Sequence, residues 1–236
     1  MATEAENRTI AVVTYKGAAL LDLVATKKVL DRLAKASRYR SVSVGGRTEP
    51  TDSDTPLRII PEKRFQEVSD PFALVVPGGG MDALKAMGDE RLLDYLRFAA
   101  YGAELVASVS TGAFVLAAAG LLEGRRATTH PAYGGLLKKL GVNYVRGYSV
   151  EDGKFLTTAG VSGGIDAMLE LAAKLTSEAT AKRMQIMIEY DPEPPFGAVD
   201  WGEADESRPV ETLIAQRADL EEALAGRPDL YRKVFG

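Results

Sequence analysis

Three residues of this chain pair a reactive side chain with a position that could expose it: Ser110, Asp22 and His130. Ser110 lies in VASVSTGAF, where an apolar strand runs without a spacer into an apolar helical stretch. A residue at such a junction often sits on a sharp elbow, with its side chain over the end of the sheet. The next amide, that of Thr111, would open the helix and offer an N–H to a developing oxyanion. The simpler role for Ser110 is a helix N-cap, which serine favours, and the segment is not the Gly-x-Ser-x-Gly elbow. Asp22 interrupts the apolar run LLDLV. A carboxylate among leucines is costly without a partner or a function; burial there would raise its pKa and suit it to proton transfer. It could equally be an acid near a helix start, favoured by the macrodipole. VPGGG, at Val76 to Gly80, would leave unpaired amides at a strand's carboxyl end, with Gly78 and Gly79 as candidate substrate or oxyanion contacts. Its plain alternative is a turn. His130 ends ATTH and could be a base, a substrate contact or a hydrogen-bonded structural residue.

These residues need elements to hold them. TIAVVTY (9–15), FALVV (72–76) and ELVASV (104–109) read as short buried strands, as do 41–44, 144–150 and 155–158. Leu57 to Ile60 is a further short apolar run. Leu20 to Leu33, 81–87, 90–100 with Asp89 as cap, 111–122, 131–140, 161–190 with a break near Thr176-Ser177, and 209–225 read as helices. Glu151-Asp152-Gly153 carries an Asp-Gly hairpin signal. Strands alternating with helices predict an α/β fold, a mostly parallel sheet sandwiched by helices. Ligands of such sheets sit beyond the carboxyl ends of the strands. DPEPPF (191–196) cannot be helical. It divides an α/β domain, 1–196, from a C-terminal helical extension, 197–236, thrown away from the domain and expected to make a dimer contact. Trp201 is expected at the surface or in that contact.

Composition removes several classes. With no cysteine, disulfides, thiolate ligands and thiolate nucleophiles are excluded, and with one histidine so is a His-rich metal site. No metal and no cofactor is expected. The 29 Lys+Arg against 33 Asp+Glu leave a net charge of −4, which argues against nucleic acid. No apolar run is long enough to span a bilayer, and no basic-then-apolar leader opens the chain, so the expectation is a cytoplasmic protein without membrane partners.

Five segments in order resemble the ThiJ/PfpI superfamily, within the class I glutamine-amidotransferase-like, flavodoxin-like fold, and most of all its isonitrile hydratase branch. They are ALLDLVATKKVL, ALVVPGGG, ASVSTGAFVLAAAGLLEGRRATTHPAY, TTAGVSGGIDAMLELAAKL and IEYDPEPPF. The resemblance implies a small-molecule substrate, a homodimer with the site near its interface, and roles for matched residues. Ser110 stands where that family has its nucleophilic cysteine, Thr111 is the threonine beside it, and Asp22 is the acid facing it. Gly79 and the Thr111 amide match the oxyanion donors. Two departures, Leu23-Val24 after Asp22 where hydratases more often have Gly-Pro, and His130-Pro131 for His-Trp, point to a different substrate. An alcohol needs a base that a thiol does not. Ser110 therefore leaves three readings open: a designed replacement of a native cysteine, a natural variant using serine or an Asp22-activated water, or a binding module without catalysis. The first two are hydratases of an isonitrile to an N-formamide; the third is a non-catalytic or regulatory member. Ser110 is expected in a strained elbow, its hydroxyl within hydrogen-bond reach of Asp22 or of a water bound to it.

Overall fold

The structure, a computed structural model of the chain, describes residues 8–197, 211 and 214–236. The chain opens with β1 (Arg8–Val13), an inner strand of the main sheet whose Ile10 to Val13 are fully buried. A strand covered on both faces reads as a continuous apolar run, and that is why TIAVV shows no alternation. β1 leads into α1 (Leu20–Ala36) and β2 (Tyr39–Gly45). Three two-residue strands follow, β3 (Thr51–Asp52), β4 (Arg58–Ile59) and β5 (Lys63–Arg64). Then come β6 (Ala73–Val76), α2 (Met81–Ala86), α3 (Glu90–Gly102) and β7 (Leu105–Val109). Asp89 caps α3 as expected, accepting the Leu92 amide. The second half runs α4 (Gly112–Ala118), β8 (Arg126–Ala127), α5 (Gly134–Lys139), β9 (Asn143–Tyr144), β10 (Ser149–Asp152), β11 (Phe155–Thr158), α6 (Val161–Leu175) and α7 (Glu178–Met187).

The main sheet has the order β10-β11-β7-β6-β1-β2-β5. All its neighbours are parallel except the β10–β11 hairpin. The fold is the mostly parallel α/β sandwich read from the sequence. The chain winds outward from β1 to β2 and β5, then returns to β6 and winds the other way. That reversal opens a crevice between the loops after β1 and β6.

Several local readings change. The expected strand 144–150 is two pieces, β9 and β10, paired in different sheets. Asp152 pairs with Phe155, so the hairpin turn is Gly153-Lys154, one residue later than the Asp-Gly signal placed it. α4 stops at Ala118, and Gly120 (φ 79°) turns the chain. The break at 176–177 is where expected, with Ser177 capping α7 through the Thr180 amide. The start of the 209–225 helix and Trp201 lie outside the described residues. Its described part is α8 (Arg217–Ala223), and a further helix, α9 (Pro228–Phe235), has Pro228 in its first turn. These helices are not thrown clear: α8 packs on α2 and α9 on α5, burying Leu220, Leu224, Leu230 and Val234 in their own chain. Among the described residues no helix is long and apolar enough to cross a membrane.

Candidate active site

Ser110 follows β7 directly and holds a left-handed backbone, φ 53°. For a residue with a Cβ this conformation carries a penalty of about 1–2 kcal/mol. Its neighbours enforce it. The Ser110 amide donates to the Thr158 carbonyl at 2.9 Å, and the Thr129 hydroxyl donates to the Ser110 carbonyl at 2.8 Å. The N-cap of α4 is Thr111, so Ser110 is not the simple helix cap that its type allowed. Gly112 is needed for the tight strand-to-helix passage, because a side chain there would run into the Val76 carbonyl.

Asp22 comes from the first turn of α1 and is 4% exposed. Its Oδ2 accepts the Gly78 amide at 3.0 Å. Burial is the largest influence on this carboxyl and raises its pKa to about 6; the Gly78 N–H opposes the rise and the Asp54 charge adds to it. The expected apolar shield is only half present: Leu23 is buried, but Leu21 is 65% exposed. Ala19, at the N-cap of α1, makes no side-chain cap. Asp54, from the β3–β4 turn, supplies one instead, accepting the Leu20 amide at 2.8 Å.

Gly78 is where these groups converge. A side chain there would lie 2.6 Å from Asp22 Oδ2, 2.9 Å from Ser110 Cβ and 3.0 Å from Thr111 Oγ1. Only a glycine leaves room for all three. Asp22 and Ser110 face each other across it, without a direct hydrogen bond between them among the described residues. Thr111 is 1% exposed, and its hydroxyl accepts the amides of Gly79 at 3.0 Å and Gly80 at 2.9 Å. This corrects the expected oxyanion role of Gly79, whose N–H is committed to Thr111. The glycine loop is thus more than a turn: its amides lock the acid and the threonine in place.

His130 is half-buried, and burial lowers its pKa. Its Nδ1 accepts the Ala132 amide at 3.3 Å, in keeping with the structural alternative, and its ring meets Tyr133 edge-on. Thr129, Thr158 and Asp54 stand out in the sequence by neither spacing nor motif. Their signal was slight: polar β-branched residues in apolar strands, and an aspartate in a turn.

The structure thus sets a left-handed residue at the end of β7 opposite a buried acid, with a glycine loop between them. Residues 8–174 match the DJ-1/PfpI family. The chain belongs to the DJ-1/PfpI family. It is 45% identical over 148 residues to the isonitrile hydratase of Pseudomonas putida, a match spanning 62% of this chain and 64% of that protein. It is 28% identical over 173 residues to protein dj-1beta of Drosophila melanogaster, covering 71% of this chain and 89% of that one. A crystal structure of a ThiJ/PfpI family protein from Pseudomonas syringae superposes with TM-score 0.79 at 30% identity, over 93% of this chain and 90% of that one.

Proposed function

We propose that this DJ-1/PfpI protein hydrates a small isonitrile, R–N≡C, to the N-substituted formamide, R–NH–CHO. The observation that carries the reading is the convergence of Asp22, Ser110 and Thr111 on Gly78, with the Asp22 carboxyl held near neutrality. The 45% identity to an isonitrile hydratase supports the choice of substrate class. Protonated Asp22 gives its proton to the terminal isonitrile carbon, which leaves a carboxylate and an electrophilic nitrilium carbon. The Ser110 hydroxyl, or a water held beside it, attacks that carbon, and the proton it sheds returns to Asp22. Water attack gives R–N=CH–OH, which tautomerises to the formamide; serine attack gives an ester-like adduct that water then releases. Attack returns an electron pair to the nitrogen, and in this reading the Thr111 amide, at the start of α4, donates to it.

One observation favours a second reading. Ser110 Oγ has no base hydrogen-bonded to it among the described residues, and an alcohol without one is a weak nucleophile. A non-catalytic small-molecule-binding protein fits that arrangement. Formamide release from a simple alkyl isonitrile separates the two. The unaltered protein is expected to turn over slowly, Ser110→Cys faster, and Asp22→Asn in either background not at all. An inert Ser110→Cys protein, or an Asp22→Asn protein that keeps its rate, would give the binding reading the advantage.

A further inference from the structure

Three successive peptide units of the glycine loop each accept a hydrogen bond on the carbonyl and donate one from the amide. In the first, the Tyr15 hydroxyl donates to the Pro77 carbonyl at 2.8 Å, and the Gly78 amide donates to Asp22 Oδ2 at 3.0 Å. In the second, the Ala19 amide donates to the Gly78 carbonyl at 2.7 Å, and the Gly79 amide donates to Thr111 Oγ1. In the third, the Asp82 amide donates to the Gly79 carbonyl at 3.0 Å, and the Gly80 amide again donates to Thr111. Only the first chain begins at a side chain and ends on a titratable one.

Tyr15 follows β1 and is 6% exposed. Burial, with the charges of Asp22, Asp82 and Asp54 around it, pushes this phenol well above its ordinary value. It therefore keeps its proton at working pH and remains a donor. Gly79 leaves room for it: a side chain there would lie 3.2 Å from the Tyr15 hydroxyl oxygen and 2.6 Å from the Gly17 carbonyl. A peptide bond is a planar, resonant unit. A donor on its oxygen draws charge from its nitrogen, so the N–H on the far side becomes more positive. The same bond fixes the peptide plane, and with it the line along which that N–H points. A hydrogen bond to an anion gains more from this than one to a neutral acid, so the carboxylate of Asp22 is favoured.

The other groups around Asp22 do not duplicate the effect. Ser110 and Thr111 face it across Gly78 and carry no charge. Thr26, one turn along α1, gives its hydroxyl proton to the Asp22 backbone carbonyl, and Gly164 of α6 packs against Thr26. The charge acting on Asp22 is that of Asp54, in the β3–β4 turn, and it works in the opposite sense to the Gly78 amide. Resting on the reading of Asp22 as the proton carrier, we propose that Tyr15 is a positioning residue for it, acting through the Pro77–Gly78 peptide to set how firmly the carboxyl holds its proton.

Carbon-detected NMR of 13C-labelled aspartate side chains follows the Asp22 titration without needing turnover. Tyr15→Phe removes the donor and keeps the ring. One hydrogen bond strengthens the next by about 10–30%, so the Asp22 midpoint should rise by about half a pH unit. Replacing Tyr15 alone with 3-fluorotyrosine supplies a stronger donor of nearly the same shape, and the midpoint should fall by about 0.2 units. The Gly78 amide proton should move upfield in the first protein and downfield in the second. Altered packing does not produce opposite shifts of this kind. Should Tyr15→Phe fail to fold, the fluorotyrosine protein decides the matter. A midpoint unmoved in either folded protein, or moved the same way in both, would overturn the proposal. In a Ser110→Cys background the fall of kcat/KM with pH should follow the NMR midpoint. A fall that stays fixed while the midpoint moves would sink Asp22 as the proton carrier. Opposite midpoint shifts without isonitrile turnover in any variant would sink the hydratase reading and leave the role of Tyr15 standing.

Discussion

Replacing Asp22 with asparagine should make the protein more stable near pH 7.5 while leaving its stability near pH 4 almost unchanged. The carboxyl is buried, and burial with the Asp54 charge lifts it from its ordinary 3.8 to about 6. The folded chain thus holds this proton more tightly than the unfolded chain does. Between those two values the native state binds more protons, so stability falls as pH rises through the window. Each pH unit is worth about 1.4 kcal/mol, which puts the full loss at about 3 kcal/mol. Asparagine removes the ionisation but keeps an oxygen for the Gly78 amide. The preference of that amide for the carboxylate is already contained in the value of about 6, so the net gain near pH 7.5 should be about 3 kcal/mol. Urea unfolding of the two proteins across pH 4 to 7.5 measures it, and the difference between them cancels the other titrating groups. Asp54→Asn keeps the cap on Leu20 but not the charge, so it should shrink the effect. A constant difference at every pH, or an asparagine variant that loses stability relative to the parent as pH rises, would refute the reasoning.

Three other outcomes follow from the same geometry. Thr111→Val removes the acceptor for the Gly79 and Gly80 amides and should cost about 2–4 kcal/mol in urea unfolding; a cost near zero would show that those bonds do not hold the loop. Ser110→Gly should be more stable than Ser110→Ala by about 1 kcal/mol, because only glycine adopts φ 53° without penalty; equal stabilities would mean the elbow is not strained. A homodimer is expected at micromolar concentration, covering exposed Leu21 and Val24 beside Asp22; a monomer mass by light scattering contradicts it.

Much of this architecture was legible because its signals are local. Ile10 to Val13 and Ala73 to Val76 are buried on both faces, so they appear as apolar runs whose length alone separates them from helices. β3, β4 and β5 are two residues each, too short to show any period. Leu57 and Ile60 helped define an apolar run yet are exposed at 63% and 64%, while Ile59 between them is buried. α9 carried a readable sign, Pro228 followed by Leu230 and Val234, but it is only eight residues long. At the site, the acid in LLDLV and the elbow at Ser110 were visible as violations of local pattern. Hydrogen-bond partners were not. Whether Gly79 offers its amide to a ligand or to Thr111 depends on two segments 32 residues apart in sequence. The cap on α1 likewise comes from Asp54, 34 residues beyond Leu20.

The central claim is that Asp22, protonated, starts the hydration at the elbow. The pH dependence of kcat/KM for formamide formation, measured on a simple alkyl isonitrile with the unaltered protein or with Ser110→Cys, tests it most directly. The account predicts a plateau at low pH and a tenfold fall per unit above about 6, with Asp22→Asn inactive throughout. A rate that rises through that window, or an Asp22→Asn protein with the parent's profile, would contradict it.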